Sequence, residues 1–241
     1  MPKASFITLH LARFDALLTN PGQSGAEHKD GVLFCGVAAD TRAAGTEMAT
    51  QQAFVFAMLA LHADEHSARA LLHERRSVAP WMDEAKESWG AILRPFRHKG
   101  EVNWVDRRSP GQVFDPGAAP AAHAPFVAIT SVGWRTGPDL DMNRVLDFST
   151  GAVGIRASMT GVAGLRSQHS LTFPGGLELD PVTVSFWEGD AAACAFAYGG
   201  GVHKMQMNRS RQLNTTDRTS FTRAIALEAY GRWCGADPLR A

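Results

Sequence analysis

Apolar and polar positions fall in short blocks along this chain, and the blocks come in the same order twice. Phe6 to Phe14 reads as a strand, and Phe126 to Trp134 as its counterpart. After each, the pattern predicts a helical stretch and a further strand, Val32 to Val37 in the first half and Gly164 to Phe173 in the second. Next, an apolar strand runs straight into a helix: Ala53 to Leu61 into Asp64 to Leu72, and Val182 to Trp187 into Asp190 to Tyr198. The two strand–helix units lie 126 positions apart, so that Leu61 matches Trp187, Asp64 matches Asp190 and Leu72 matches Tyr198. Both aspartates fall where an acidic side chain can cap exposed helix N–H groups.

Between the two patterns lies a segment rich in Pro, Gly and Ala with no apolar period, residues 107–125. It predicts a connector between a first unit, 1–106, and a second, 126–241. Strand–helix–strand–strand–helix–strand in each half is a ferredoxin-like unit. Two such units can pack their antiparallel sheets around a barrel-like cavity, with helices outside. The expected fold class is therefore α+β, built from two tandem ferredoxin-like repeats.

Composition narrows the function classes. Twenty-four basic and 24 acidic side chains leave no net charge, which argues against a general nucleic-acid binder. The three cysteines, Cys35, Cys194 and Cys234, lack the spacing of a disulfide framework or a thiolate zinc site, so a reducing compartment is expected. The N-terminus lacks the apolar run of a signal peptide, and no stretch reaches the roughly 18 apolar residues of a membrane span. These features predict a cytoplasmic protein without a transmembrane segment.

Two places carry candidate chemistry. His203 follows Gly199-Gly200-Gly201-Val202, a run that ends one helix and lets the backbone turn sharply into the next. His203 and Met207 are four residues apart and share a helix face. A neutral imidazole is a good ligand for haem iron and leaves the opposite face open. The competing reading is a helix-terminal surface or core histidine. Trp187, Phe196 and Tyr198 would supply apolar walls, or plain core. The second place is the strand Leu165 to Leu171, polar on both faces over its middle. Arg166, Gln168 and Ser170 share one side, and Ser167, His169 and Leu171 the other. Such groups need a polar cavity, a ligand or solvent. Arg166, Gln168 and His169 are candidate catalytic donors, or belong to an edge strand blunted by polar side chains. No GxSxG, P-loop, GxGxxG or HExxH occurs.

Thr183 to Glu188, Ala195 to Tyr198 and His203, sixteen residues after Trp187, resemble the spheroidene monooxygenase family of carotenoid-modifying haem oxygenases. The likeness continues through Asn208 to Arg211, where that family carries a basic helix. The resemblance implies a dimeric-α/β-barrel-type fold, b-type haem with His203 as axial ligand to the iron, and oxygen-dependent oxidation of an apolar substrate. More distantly, the arrangement is similar to haem-degrading monooxygenases, chlorite dismutases and aldoxime dehydratases. Asn214 to Phe221 departs from the family's Trp-Tyr-Ser-Glu-Glu-Leu-Phe-like segment, which points to a smaller, more polar metabolite.

An oxygenase of this kind takes a small-molecule substrate and needs an external electron donor, because no flavin or nicotinamide motif is present. A dehydratase of aldoxime type, with His169 as acid, and a non-catalytic haem or small-ligand binding protein are the alternatives. A tandem repeat closes its barrel within one chain, so both monomer and homodimer fit.

Overall fold

The computed structural model describes residues 3–19, 21, 29–40, 52–102, 113–121, 123–173 and 180–240. The first half holds β1 (Phe6–Thr19), β2 (Val32–Asp40), β3 (Gln52–His62), α1 (Glu65–His73), the one-turn α2 (Arg75–Val78) and β4 (Glu87–Gly100). The second holds β5 (Phe126–Gly133), α3 (Met142–Ser158), β6 (Leu165–Thr172), β7 (Val182–Trp187), α4 (Asp190–Tyr198), α5 (Val202–Leu213) and β8 (Arg218–Gly231).

All eight strands close into one barrel in the order β1-β3-β2-β6-β7-β5-β8-β4. Each half contributes a four-stranded antiparallel unit, β4-β1-β3-β2 and β6-β7-β5-β8, with corresponding strands in corresponding places. The fold is α+β, two ferredoxin-like repeats in one chain, of the dimeric-α/β-barrel type. The halves join along two seams. β4 and β8 pair over most of their length, from Trp89 opposite Gly231 to Gly100 opposite Ser220, with two irregularities in register. Among the described residues, β2 and β6 pair at Ala39 opposite Thr172 and Asp40 opposite Leu171.

The halves differ in their first connection. Among the described residues no helix joins β1 to β2; β1 instead runs on to Thr19, and residues 20 and 22–28 of the expected helical stretch lie outside the described residues. Residues 107–112 and 122 of the connector, and 103–106 just before it, do so too. Its described part is anchored by Phe114, which is buried and bridges to Ala4.

Period-two alternation decides which face each strand turns inward. Ile7, Leu9 and Leu11 of β1, Trp89, Ala91 and Leu93 of β4, and Val182, Val184 and Phe186 of β7 all pack in the main core inside the barrel. Trp89 meets Phe186 edge to face at 5.2 Å. An eight-stranded barrel is just wide enough for side chains to fill it, so the expected barrel-like cavity is here occupied by a packed core.

The matched aspartates have different roles. Asp64 is the N-cap of α1, accepting from the Ser67 backbone N–H at 2.8 Å. Gly189 takes the cap position of α4, and Asp190, one residue inside the helix, turns its carboxylate to Arg223 instead. Among the described residues no helix is long and apolar enough to cross a membrane.

Candidate functional site

The two halves cover their sheets differently. In the first, α1 sets Ser67, Ala68, Leu71 and Leu72 into the protein as buried residues. In the second, the 17-residue α3 buries only Val145, α4 only Ala193 and α5 none. The outer sheet face beneath them is nevertheless apolar, with Phe126, Ala128 and Trp187 buried. Around these lie half-buried Ile155, Val162, Leu165, Phe196, Phe221 and Ile225. Apolar side chains that face a helical layer yet keep part of their surface open are the lining expected of an apolar ligand cleft.

His203 enters this layer through the glycine run. Gly199 is the C-cap of α4, Gly200 takes a positive φ of 106°, and Gly201 is the N-cap of α5. At Gly199 a Cβ would lie 2.3 Å from the Ala195 carbonyl oxygen, so only glycine allows this approach. The reversal brings the His203 ring back onto the end of α4. Its Nδ1–H donates to the Ala197 carbonyl at 3.2 Å, one of the acceptors left open at a helix C-terminus. That bond places the lone pair on Nε2. Burial holds the imidazole below its ordinary pKa, only partly offset by the bond to Ala197. At neutral pH His203 is therefore a neutral imidazole with a fixed tautomer, the state required of a metal ligand.

An aromatic path leads from His203 to the sheet. The ring is 5.1 Å from Phe196, and Phe196 is 5.7 Å from Trp187. Trp187 on β7 stands opposite Phe126 on β5. Over Phe126, at 5.4 Å, lies the guanidinium of Arg223 on β8, which is also 5.1 Å from the Phe221 ring. Arg223 is 3% exposed, and its Nε has no hydrogen-bond partner among the described residues. Its other contacts are an ion pair with Asp190 and a 3.7 Å approach to the Cys194 Sγ. The register sets Arg223 in a row on the outer face: Gln168, Ser185, Ala128 and Arg223 lie side by side across β6, β7, β5 and β8. Sequence reasoning missed Arg223. The signal was an arginine in an apolar strand, with phenylalanine two residues before it and isoleucine two after.

Of the predicted residues, Trp187, Phe196 and His203 come together here. Met207 is half-buried on α5, one turn beyond His203. Tyr198 does not wall the site: it is 56% exposed, because two helical steps from Phe196 turn it to the opposite face of α4. His203 lies in the outer helical layer and not inside the barrel.

The three predicted catalytic donors separate. Gln168 is on the outer face, its Nε2 donating to the Arg156 carbonyl of α3 at 3.3 Å. Arg166 sits at an irregularity in the β6–β7 register between Leu165 and Ser167. It donates to the carbonyls of Pro238 (3.2 Å) and Arg240 (2.7 Å), so its guanidinium pins the C-terminal segment. His169 points into the barrel and is 1% exposed. It receives a hydrogen bond on Nε2 from Trp233 Nε1 at 3.0 Å, with the Ser167 hydroxyl 3.1 Å from the same nitrogen. With Nε2 accepting, Nδ1–H donates to Asp40 at 2.7 Å.

No protein-family profile matches this chain, and no curated protein sequence matches it. Among solved structures it is similar to an aldoxime dehydratase in complex with butyraldoxime, with TM-score 0.53 and 9% identity over 94% of this chain and 82% of that one. It is similar to a second aldoxime dehydratase structure, with TM-score 0.54 and 8% identity over 92% and 81% of the two chains. A ferredoxin-fold protein related to antibiotic biosynthesis monooxygenases, from Listeria monocytogenes, aligns over 91% and 95% of the chains with TM-score 0.31 and 9% identity. The likeness to the two aldoxime dehydratases, at identities this low, speaks for a shared fold and for nothing finer.

Proposed function

We propose that this protein is a haem-dependent enzyme, a monooxygenase acting on a small or apolar metabolite, with His203 as the axial ligand to the iron of haem b. The observation that carries the reading is the His203 tautomer: Nδ1 is committed to Ala197, and Nε2 is left for a metal. The surroundings fit the group. Trp187, Phe196 and Met207 offer flat or pliable apolar contact. The helices above leave the apolar sheet face only partly covered. The buried Nε of Arg223, without a hydrogen-bond partner among the described residues, offers a charged donor at the end of the aromatic path.

Bound haem supplies oxygen activation, drawing two electrons per turnover from an external donor. The chain's own residues do the rest. The second unit, 126–241, holds the cofactor, and the glycine run aims the imidazole. Gln168 and Ser185, on the sheet side, are the polar groups placed to orient a bound molecule. His169 stays inside the barrel as a structural hub. The resemblance at Trp187 to His203 favours the spheroidene monooxygenase type, and the polar row of Gln168, Ser185 and Arg223 favours a substrate more polar than a carotenoid.

The test uses haem-loaded protein with a chemical reductant and candidate substrates. Consumption of oxygen matched to product supports the monooxygenase. The fold shared with aldoxime dehydratases gives the runner-up: nitrile formed from an aldoxime without oxygen uptake would replace the monooxygenase by a dehydratase.

A further inference from the structure

Arg223 poses a question that the haem ligand does not answer. It is buried on the outer face of β8 and stacked near two phenylalanine rings, with Nε lacking a partner among the described residues. Leaving a buried N–H donor without an acceptor is costly. Asp190 ion-pairs with Arg223 Nη1; its side chain is half exposed, although the Oδ1 facing Arg223 is buried. Directly across the β4–β8 pair stands Arg97. Arg97 is exposed to solvent and Asp190 offsets the charge of Arg223, so what remains unmet is the buried Nε–H edge of the Arg223 guanidinium. Planar guanidinium donors match a carboxylate.

We propose that Arg223 anchors a carboxylate borne by the molecule held in the cleft between the second half's sheet and its helices. This rests on the reading of that cleft as the ligand site. The carboxylate belongs either to a haem propionate or to the substrate, and the two sources are separable. In either case Asp190 is the competitor that the incoming carboxylate displaces or joins.

The experiment uses the full-length protein prepared without added haem, as wild type, Arg223→Gln and Asp190→Asn. Each is titrated with haemin, with haemin dimethyl ester, with decanoate and with decanol. Tryptophan fluorescence reports binding. The alkylation rate of Cys194, followed by mass spectrometry, reports occupancy beside Arg223 without any activity assay. The expected result is that a carboxylate-bearing probe binds wild type about ten- to a hundredfold more tightly than Arg223→Gln. Its neutral counterpart should bind both equally, and Asp190→Asn should bind the acid more tightly than wild type. Haemin showing this pattern assigns the carboxylate to a propionate; decanoate alone showing it assigns the carboxylate to the substrate.

The proposal is overturned if neither acid distinguishes wild type from Arg223→Gln. Equal losses for the ester or the alcohol overturn it as well. Should Arg223→Gln lose its far-ultraviolet circular dichroism, Asp190→Asn decides: unchanged or weaker acid binding overturns the proposal. A protein that ignores haemin but discriminates decanoate refutes the haem reading and keeps the anchor. A His203-dependent haem spectrum with no effect of Arg223 on either acid does the reverse.

Discussion

His169 and His203 stand on opposite sides of the second half's sheet, His169 in the barrel core and His203 in the helical layer outside it. The separation assigns them different work. His169 joins Asp40, Ser167 and Trp233 inside the barrel. His203 joins Ala197 and Phe196 above the outer apolar face.

The first consequence concerns His169. Replacing it by alanine removes one hydrogen bond from Asp40 and leaves the buried Trp233 indole N–H without its acceptor, at a cost of about 1–3 kcal/mol for that donor. Urea denaturation should record that loss. The haem spectrum of the folded variant should match wild type; a lost or shifted Soret band in His169→Ala would place this histidine at the cofactor after all.

Trp233 ties the C-terminal segment to the core. It is 2% exposed, bonded to His169 and overlain by the Arg13 guanidinium at 4.7 Å. Trp233→Ala should destabilise the fold by about 3–5 kcal/mol, the usual range for emptying a buried tryptophan site. A loss below about 1 kcal/mol in equilibrium unfolding would mean that the segment contributes little to the barrel.

Acid should weaken the fold through the first half. Burial depresses His10 to a pKa of about 3, with Arg75 and His62 adding to the effect, and depresses His62 to about 4, opposed by Asp64. Below pH 6.5 the unfolded chain takes up these protons and the folded one does not. Stability is therefore complete above pH 6.5 and falls as pH drops toward 4. The limiting slope is about 1.4 kcal/mol per pH unit for each histidine. His10→Leu should flatten that slope between pH 6 and 4. An unchanged slope would mean that His10 titrates normally in the folded protein.

Much of this was legible in the sequence, for definite reasons. The doubled block order follows from strand and helix periods, and both repeats emerge in the barrel. Trp187, Phe196 and His203 were legible because one strand, one helix and a glycine turn are local features. The sides of the sheet were not. Alternation says that Gln168 and His169 face oppositely, but only the closure of eight strands says which face is the core. The place of Arg166 was not legible because its partners, the carbonyls of Pro238 and Arg240, arrive from over seventy residues away. Arg223 was missed because its meaning depends on Phe126 and Asp190, brought beside it by separate elements.

The central claim is that His203 holds haem, and its absorption spectrum tests it most directly. Wild type and His203→Ala are purified from cells supplied with haem and their spectra compared, oxidised and reduced. The account predicts a Soret band in wild type that is lost or shifted in His203→Ala while the fold is retained. A wild-type protein that stays colourless after haem is added, or a variant with an unchanged spectrum, would contradict it.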